Sequence, residues 1–254
     1  MKKHTPPLQW LDPGDPFPVV TAAWGAADPA PGLLAAGGNL DASTLLRAYT
    51  SGIFPWFSEG QSILWWSPDP RMVLSVQRFK LHRSLRKTLT SFVKHPGCEI
   101  RMDNCFERVV RCCASKARNR QSGTWIVEKM VAAYVALNQA GYAHSVETWV
   151  DDVMVGGLYC VNVGKMVFGE SMFSDATDAS KIALAALVAW CLAYDIELID
   201  CQQNTQHLAS LGAAEISRDN FLRHLELTTT RPAPPWQFSP DHWVRLLHQP
   251  SQST

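Results

Sequence analysis

The chain has 254 residues, of which 46% are apolar, so it is long enough to bury a sizeable core in one large domain or two smaller ones. No stretch approaches the roughly 18 apolar residues of a membrane span, and no apolar signal-peptide core follows the N-terminus, so we expect a cytoplasmic protein. The seven cysteines form no C-x-x-C pair, which argues against a metal site and favours reduced thiols.

The net charge is zero, but the charges are unevenly distributed along the chain. Between Arg78 and Arg120 there are 12 Lys/Arg and only 3 Asp/Glu, out of 23 of each in the whole sequence. A basic segment of this kind predicts a surface for a polyanion such as RNA. Two solvated helices that happen to be basic would have the same composition, so both interpretations stay open.

The first predicted elements form a small N-terminal unit. Residues 1–32 are rich in Pro, Ala and Gly and predict an irregular arm. Asp41 is placed to cap a short helix that runs through Tyr49 and ends before Gly52. The segment 53–71 then holds five aromatic rings among prolines, glycines and serines, a composition typical of surface loops. Several of these rings are expected to line a cleft, unless they simply pack the N-terminal unit.

The rest of the chain predicts helices and strands in a definite order. Apolar periodicity indicates helices at residues 81–89, 104–114, 128–140, 179–194 and 219–227, and strands at 144–150, 153–163, 165–173 and 196–202. The order of two helices, three antiparallel strands, a helix and a strand resembles the N-acetyltransferase-like fold. We therefore predict an α+β chain, with a small N-terminal domain at 1–76 and an acetyltransferase-like α/β domain at 77–254 that ends in a Pro-rich tail.

Two of the predicted strands carry carboxylates on apolar faces. Glu170 shares its face with Phe168 and Met172, and Asp200 shares the face of the next strand with Gln202. Burying an unpaired carboxylate is costly, so each one is either paired or functional. Asp200 is placed to orient and polarise the Gln202 amide. The alternative for each carboxylate is a structural pair with Arg or Lys from a neighbouring helix.

Six motifs, spread over nearly the whole chain, make it resemble the leucyl/phenylalanyl-tRNA–protein transferases. They occur in that family's order, at Gly32–Leu40, Gly52–Phe57, Trp65–Arg71, Gly123–Ile126, Phe168–Ser174 and Leu198–Gln202. The chain departs from the family pattern at Asn39, where Asp is expected, and at Leu187 and Cys191, where some relatives have aromatic residues.

The resemblance implies a reaction and its partners. Leu or Phe, and Met less well, would pass from aminoacyl-tRNA to proteins whose first residue is Arg or Lys. The products would then be degraded by the bacterial N-end rule pathway. No metal, other cofactor or membrane is implied.

The resemblance and the charge pattern together assign four groups of residues. The terminal adenosine of the tRNA would be held by Trp56, Trp125 and Tyr49, and the donor side chain by an apolar pocket of Val167, Met172 and Ile199. Glu170, Asp200 and Gln202 would hold or activate the acceptor amine, and Arg83, Arg86, Lys116 and Arg118 would contact the tRNA backbone.

Two rival functions are less consistent with the sequence. An acetyltransferase would need a Gly-rich loop for the CoA pyrophosphate, whereas the segment 174–180 has no glycine and two aspartates. A non-catalytic tRNA-binding module would suit the basic segment and the aromatic loops. It leaves Glu170 and the Asp200–Gln202 pair unexplained.

Overall fold

The computed structural model describes residues 7–115 and 127–248. Its N-terminal unit holds helix α1 (Ala42–Thr50) and the strands β1 (Gln9–Leu11), β2 (Leu33–Gly37), β3 (Phe54–Pro55) and β4 (Leu64–Trp66). The strands form one sheet in the order β1-β2-β4-β3. Asp41 caps α1 as predicted, because its carboxylate accepts the Thr44 N–H at 2.7 Å.

A second sheet of seven strands organises the rest of the chain. Its strands are β5 (Arg71–Ser75), β6 (Cys98–Met102), β7 (Ala143–Val150), β8 (Val153–Val163), β9 (Met166–Ser174), β10 (Leu198–Gln202) and β11 (Ala214–Ile216). They lie in the order β11-β5-β10-β9-β8-β7-β6. Every neighbouring pair is antiparallel except β9 and β10, which are parallel.

Helices cover both faces of this larger sheet. They are α2 (Arg83–Lys94), α3 (Phe106–Ser115), α4 (Glu128–Gln139), α5 (Ala179–Ala193), α6 (Gln206–Ser210), α7 (Arg218–Thr229) and α8 (His242–Leu247). The buried side chains form two clusters. In one, the N-terminal unit, α3, α4 and α7 pack together with one face of the sheet. In the other, α2, α5 and α8 pack together with the opposite face.

Helix α5 is the central buried helix of the second cluster. Its residues are apolar nearly all round, as expected for a helix with no solvent-facing side. It approaches the sheet closely at Gly156, where an added Cβ would lie 2.5 Å from the Ala179 Cβ. Gly156 therefore lets β8 pass directly against the first turn of α5.

The predicted class is confirmed: the chain is a mixed α/β chain with an N-terminal unit. The three antiparallel strands β7 to β9, the helix α5 and the strand β10 lie where they were expected, whereas the strands β5, β6 and β11 of the larger sheet were not predicted. We expected the boundary between the two domains after residue 76, which would assign β5 to the N-terminal domain. In the structure β5 pairs with β10 and β11 in the larger sheet. A division by sheet membership would therefore lie between Trp66 and Arg71. Within the described residues, no helix has both the length and the apolarity that crossing a membrane requires.

Candidate active site

The candidate site lies where the two parallel strands separate. Strands β9 and β10 pair only at Val167 with Ile199 and at Phe168 with Asp200. Glu170 and Gln202 lie two residues farther along each strand. Their side chains bridge the opening, because the Gln202 Nε2 donates a hydrogen bond to the Glu170 Oε1 at 3.2 Å.

Glu170 lies in an irregularity of the sheet. Tyr159 of β8 pairs with Ser171 and the next residue pairs with Gly169, so Glu170 has no partner across the strands. The bulge turns its carboxylate toward two tyrosines from other elements. The Tyr49 hydroxyl of α1 lies in hydrogen-bond contact with Oε1 at 2.7 Å, and the Tyr134 hydroxyl of α4 with Oε2 at 2.8 Å. The site thus joins the N-terminal unit to the larger sheet.

The pKa of Glu170 is raised from 4.5 to about 7. Burial of the carboxyl is the main cause, and the negative charge of Asp200 adds to it. Hydrogen bonds from Tyr49 and Tyr134 act in the opposite direction, as does the charge of Arg71. Glu170 can therefore exchange a proton near neutral pH, which a catalytic acid or base must do.

Replacing Glu170 by Gln is expected to remove a pH dependence from the protein's stability. Because the pKa in the folded state, about 7, lies above the ordinary 4.5, the folded chain keeps a proton that the unfolded chain has released. The free energy of unfolding should therefore fall as pH rises from 4.5 to 7. The loss should be on the order of 2–3 kcal/mol relative to Glu170→Gln, allowing for partial exposure. Urea unfolding of both proteins across this range tests the prediction, and a constant difference would contradict it.

Gln202 adopts an unusual backbone conformation at the end of β10. Its φ is 55°, in the left-handed region, and the pairing of β10 with β5 shifts register between Asp200 and Gln202. Its main-chain N–H donates to the Asp200 Oδ1 at 3.0 Å, whereas its side-chain amide donates to Glu170. The expectation that Asp200 polarises the side-chain amide of Gln202 is therefore corrected: Asp200 holds the backbone, and Glu170 holds the amide.

Asp200 is part of a buried ion pair with Arg71. The Arg71 Nε and Nη2 donate to the two carboxylate oxygens at 2.8 and 2.7 Å, and the two side chains are 1% and 0% exposed. The Arg71 guanidinium also lies 4.7 Å from the Phe54 ring and 4.6 Å from the Phe221 ring. Asp200 therefore forms the structural ion pair that we considered as the alternative to a functional role. Its cationic partner comes from strand β5 and not from a helix.

The structure corrects the role expected for Tyr49. This side chain is completely buried, its ring packs 5.0 Å from that of Phe168, and its hydroxyl contacts Glu170. It has no exposed face on which an adenine could stack. Sequence reasoning missed Tyr134 and Arg71. A buried tyrosine hydroxyl normally needs a partner, so Tyr134 on the apolar face of α4 was a usable signal.

The aromatic segment divides into core and surface. Phe54, Phe57 and Trp65 are buried, whereas Trp56 and Trp66 stay half-buried. The Trp66 Nε1 donates to the Trp56 carbonyl oxygen at 2.7 Å, and the two rings lie 5.5 Å apart. Trp56 is therefore held at the surface, where a ring could stack. Trp125, expected to act with it, lies outside the described residues.

The three residues expected to form an apolar pocket lie together on the α5 side of the sheet. Val167 and Ile199 are 0% and 2% exposed, and Met172 packs at the edge of the same cluster. The expectation that Met172 shares a face with Glu170 is wrong, because the bulge moves Met172 to the opposite face. Leu187 and Cys191 of α5 belong to this cluster as well. The pocket assignment stays a prediction.

Helix α2 carries the basic surface. Arg83, Lys87 and Lys94 are exposed at helical spacing and line one open groove with Thr90 and Ser91. Arg86 is half-buried, and its Nη1 donates to the Leu247 carbonyl oxygen at 2.6 Å, so it also ties α8 to α2. Lys116 and Arg118 lie outside the described residues. We name the exposed cations Arg83, Lys87 and Lys94 the α2 stripe.

Comparisons with known proteins agree with the motifs. The family model of the leucyl/phenylalanyl-tRNA protein transferase N-terminal domain matches residues 38–69, and that of leucyl/phenylalanyl-tRNA protein transferase matches residues 73–226. A leucyl/phenylalanyl-tRNA–protein transferase of Polaromonas is 62% identical over 247 residues, 97% of each chain. That of Albidiferax ferrireducens is 58% identical over the full length of both chains.

Solved structures resemble the chain more distantly. A GCN5-related N-acetyltransferase from Kribbella flavida matches with a TM-score of 0.32 and 10% identity, over 68% of this chain and 60% of that one. The C-terminal domain of a putative lysylphosphatidylglycerol synthetase from Agrobacterium fabrum has a TM-score of 0.37 and 13% identity. That match covers 76% of this chain and 57% of that one.

Proposed function

The chain belongs to the leucyl/phenylalanyl-tRNA protein transferase family, and from this membership we propose that it transfers an amino acid from aminoacyl-tRNA to the N-terminus of a protein. The observation that carries the proposal is the hydrogen-bonded pair of Glu170 and Gln202 at the opening between β9 and β10. The pair places a carboxyl and an amide next to each other, where they could bind the acceptor amine and accept its proton.

We further propose the identity of the substrates. The donors would be tRNAs charged with Leu or Phe, and less well Met, and the acceptors would be proteins beginning with Arg or Lys. The products would enter the bacterial N-end rule pathway in the cytoplasm. Val167, Met172 and Ile199 remain the proposed side-chain pocket, and an apolar pocket of this kind would discriminate poorly between near-isosteres.

The reaction needs little activation of either substrate. The donor is an activated ester, so the main requirements are positioning and proton transfer. The attacking α-amine has an ordinary pKa of about 7.7–8.0, so a useful fraction is neutral near pH 7. Glu170 and Gln202 would hold this amine against the ester carbonyl. The raised pKa of Glu170 suits contact with the amine better than capture of the acceptor's cationic side chain.

The direct test uses purified protein, labelled leucyl-tRNA and a protein with N-terminal Arg. We expect label in the protein, and much less label when the same protein begins with Met. Acetyl-CoA offered with the same acceptor should give no modification. Label transfer that is absent with leucyl-, phenylalanyl- and methionyl-tRNA alike would overturn the proposal.

Charge reversal in the α2 stripe is expected to weaken tRNA binding. Arg83→Glu with Lys87→Glu should reduce both the affinity and its dependence on salt, which is about 0.7–0.9 log units per log of salt for each phosphate contact. The matched control is Arg223→Glu, an exposed arginine on α7. Binding by filter retention at several salt concentrations measures the effect. Transfer from a minimal aminoacyl-adenosine donor should be retained, and equal loss with both donors would contradict a role in binding the tRNA backbone.

A further inference from the structure

Three oxygen-bearing groups in the site form a closed ring of short contacts. Tyr49 lies 2.7 Å from the Glu170 Oε1, Tyr134 lies 2.8 Å from the Glu170 Oε2, and the two tyrosine hydroxyls lie 2.6 Å apart. All three distances fall in the range of O–H···O hydrogen bonds, about 2.5–3.0 Å. Each contact therefore needs one proton between its two oxygens.

The protons can be counted. Each tyrosine hydroxyl supplies one proton, and an ionised carboxylate supplies none. An ionised Glu170 would leave one of the three contacts with two lone pairs facing each other. A neutral Glu170 supplies the third proton, and each hydroxyl then donates once and accepts once around the ring.

We propose that Glu170 is a neutral acid in the resting site, and that it donates this proton to the departing ribose oxygen of the donor while its carboxyl takes a proton from the acceptor amine. The two proton transfers rest on the proposed function. The protonation of Glu170 in the free protein does not depend on it.

The surroundings of Glu170 agree with a neutral carboxyl. The ionisable groups that face it are Tyr49 of α1, Tyr134 of α4, Asp200 of β10 and Arg71 of β5, with Cys160 on neighbouring β8. Arg71 is held bidentately by Asp200, so its charge is largely committed to that carboxylate. Burial then dominates and raises the pKa of Glu170 to about 7.

The step balances without any other reagent. The lone pair of the neutral amine attacks the ester carbonyl carbon, the C–N bond forms, and the bond between that carbon and the ribose oxygen breaks. One carboxyl oxygen of Glu170 gives its proton to the leaving oxygen, and the carboxyl takes one proton from the nitrogen. The products are an amide and a free ribose hydroxyl, and the ring recovers its three protons.

The two tyrosines act through Glu170 and not on the substrates. Both are completely buried, whereas Glu170 keeps partial exposure at the opening of the site. Tyr49 and Tyr134 are therefore positioning residues that fix the carboxyl by hydrogen bonds and keep their own protons. Their pKa values are raised well above the ordinary range, mainly by burial, so they stay protonated as the ring requires.

The resting proton can be measured without any transfer reaction. Carbon-13 NMR of protein labelled at the Glu side-chain carboxyl would follow each signal from pH 5 to 9, with the Glu170 signal assigned by its loss in Glu170→Gln. We expect a midpoint near neutrality for Glu170 in the wild type, and the same midpoint in the control Tyr159→Phe. Tyr159 packs 5.1 Å from the Tyr134 ring and is not one of the three groups of the proton ring. A Glu170 signal that is already that of the ionised carboxylate at pH 5, and that does not change up to pH 9, would overturn the proposal.

The proton donation is tested with two minimal donors. One is leucyl-adenosine, and the other is its thioester on 3′-thioadenosine, whose thiolate can depart without a proton. Glu170→Gln should fold normally, because its amide N–H₂ can replace the third proton of the ring. We expect it to slow transfer from the oxygen ester by at least about 100-fold and from the thioester by less than about tenfold.

Each outcome of this comparison bears on one claim. Equal loss with both donors would overturn proton donation to the leaving oxygen. Full activity of Glu170→Gln with the oxygen ester would overturn the whole catalytic part. A wild-type protein that transfers from neither donor nor from leucyl-tRNA would refute the proposed function instead, and would leave the NMR result to decide the resting proton.

Discussion

Asp200→Ala is expected to lower the free energy of unfolding by about 3–5 kcal/mol, because it leaves the buried guanidinium of Arg71 without its counter-charge. Arg71 is 1% exposed and donates two hydrogen bonds to Asp200 and one to the Gly52 carbonyl oxygen at 3.2 Å. Water cannot replace the lost carboxylate in such a place. The substitution also removes the acceptor that holds the Gln202 backbone in its left-handed conformation.

A double replacement distinguishes the cost of leaving Arg71 unpaired from the cost of losing the whole ion pair. Arg71→Met with Asp200→Leu removes both charges, so its cost should be smaller than that of Asp200→Ala alone. Urea unfolding measures all three proteins. Glu128→Ala is the matched control, since it breaks an exposed ion pair with Arg111 and should change stability little. A small loss in Asp200→Ala would contradict the role of the pair as the anchor of β5 and β10.

Gln202→Ala is expected to lower the rate of transfer by about 10²–10³-fold at saturating substrates, with tRNA affinity unchanged. Its amide nitrogen donates to Glu170, so in our proposal the carbonyl oxygen of the same amide accepts a hydrogen bond from a substrate. The acceptor amine would be that donor. Since the tRNA contacts the α2 stripe in our proposal, removing one amide at the opening should not alter its binding.

The neighbouring Gln203 supplies the control for this prediction. Gln203 is exposed and follows directly in the sequence, so Gln203→Ala changes the same chemical group a few ångströms from the site. Single-turnover kinetics with leucyl-tRNA should give wild-type rates for Gln203→Ala. Similar rates for both alanine variants would mean that Gln202 has a structural role only.

Local sequence signals were enough to place α1, the strands β7 to β10 and the helices α4 and α5. The Asp41 cap and Gly52 bound α1, and the alternation of apolar residues from 144 to 173 gave three antiparallel strands. Alternation also singled out Glu170 on β9 and, separately, Asp200 on β10, because burying a carboxylate on an apolar face is costly unless it is paired or functional. These features depend on residues that are close in the sequence, so a local pattern contains them.

The arrangement inside the site could not be predicted in this way. The bulge at Glu170 is set by the register between β8 and β9, and it reverses the face on which Met172 lies. The hydroxyls of Tyr49 and Tyr134 meet although the two residues are 85 positions apart. Arg71 follows a Pro-rich segment that reads as a loop, yet it begins a strand of the larger sheet. Each of these depends on long-range packing that no local pattern records.

The most direct measurement is single-turnover transfer of labelled leucine from leucyl-tRNA to a protein with N-terminal Arg, by the wild type and by a variant that carries both Glu170→Gln and Gln202→Ala. We predict rapid transfer by the wild type and at least about 100-fold slower transfer by the variant, with equal tRNA affinity and retained fold. Transfer at the wild-type rate by the variant would contradict the assignment of the reaction to this site.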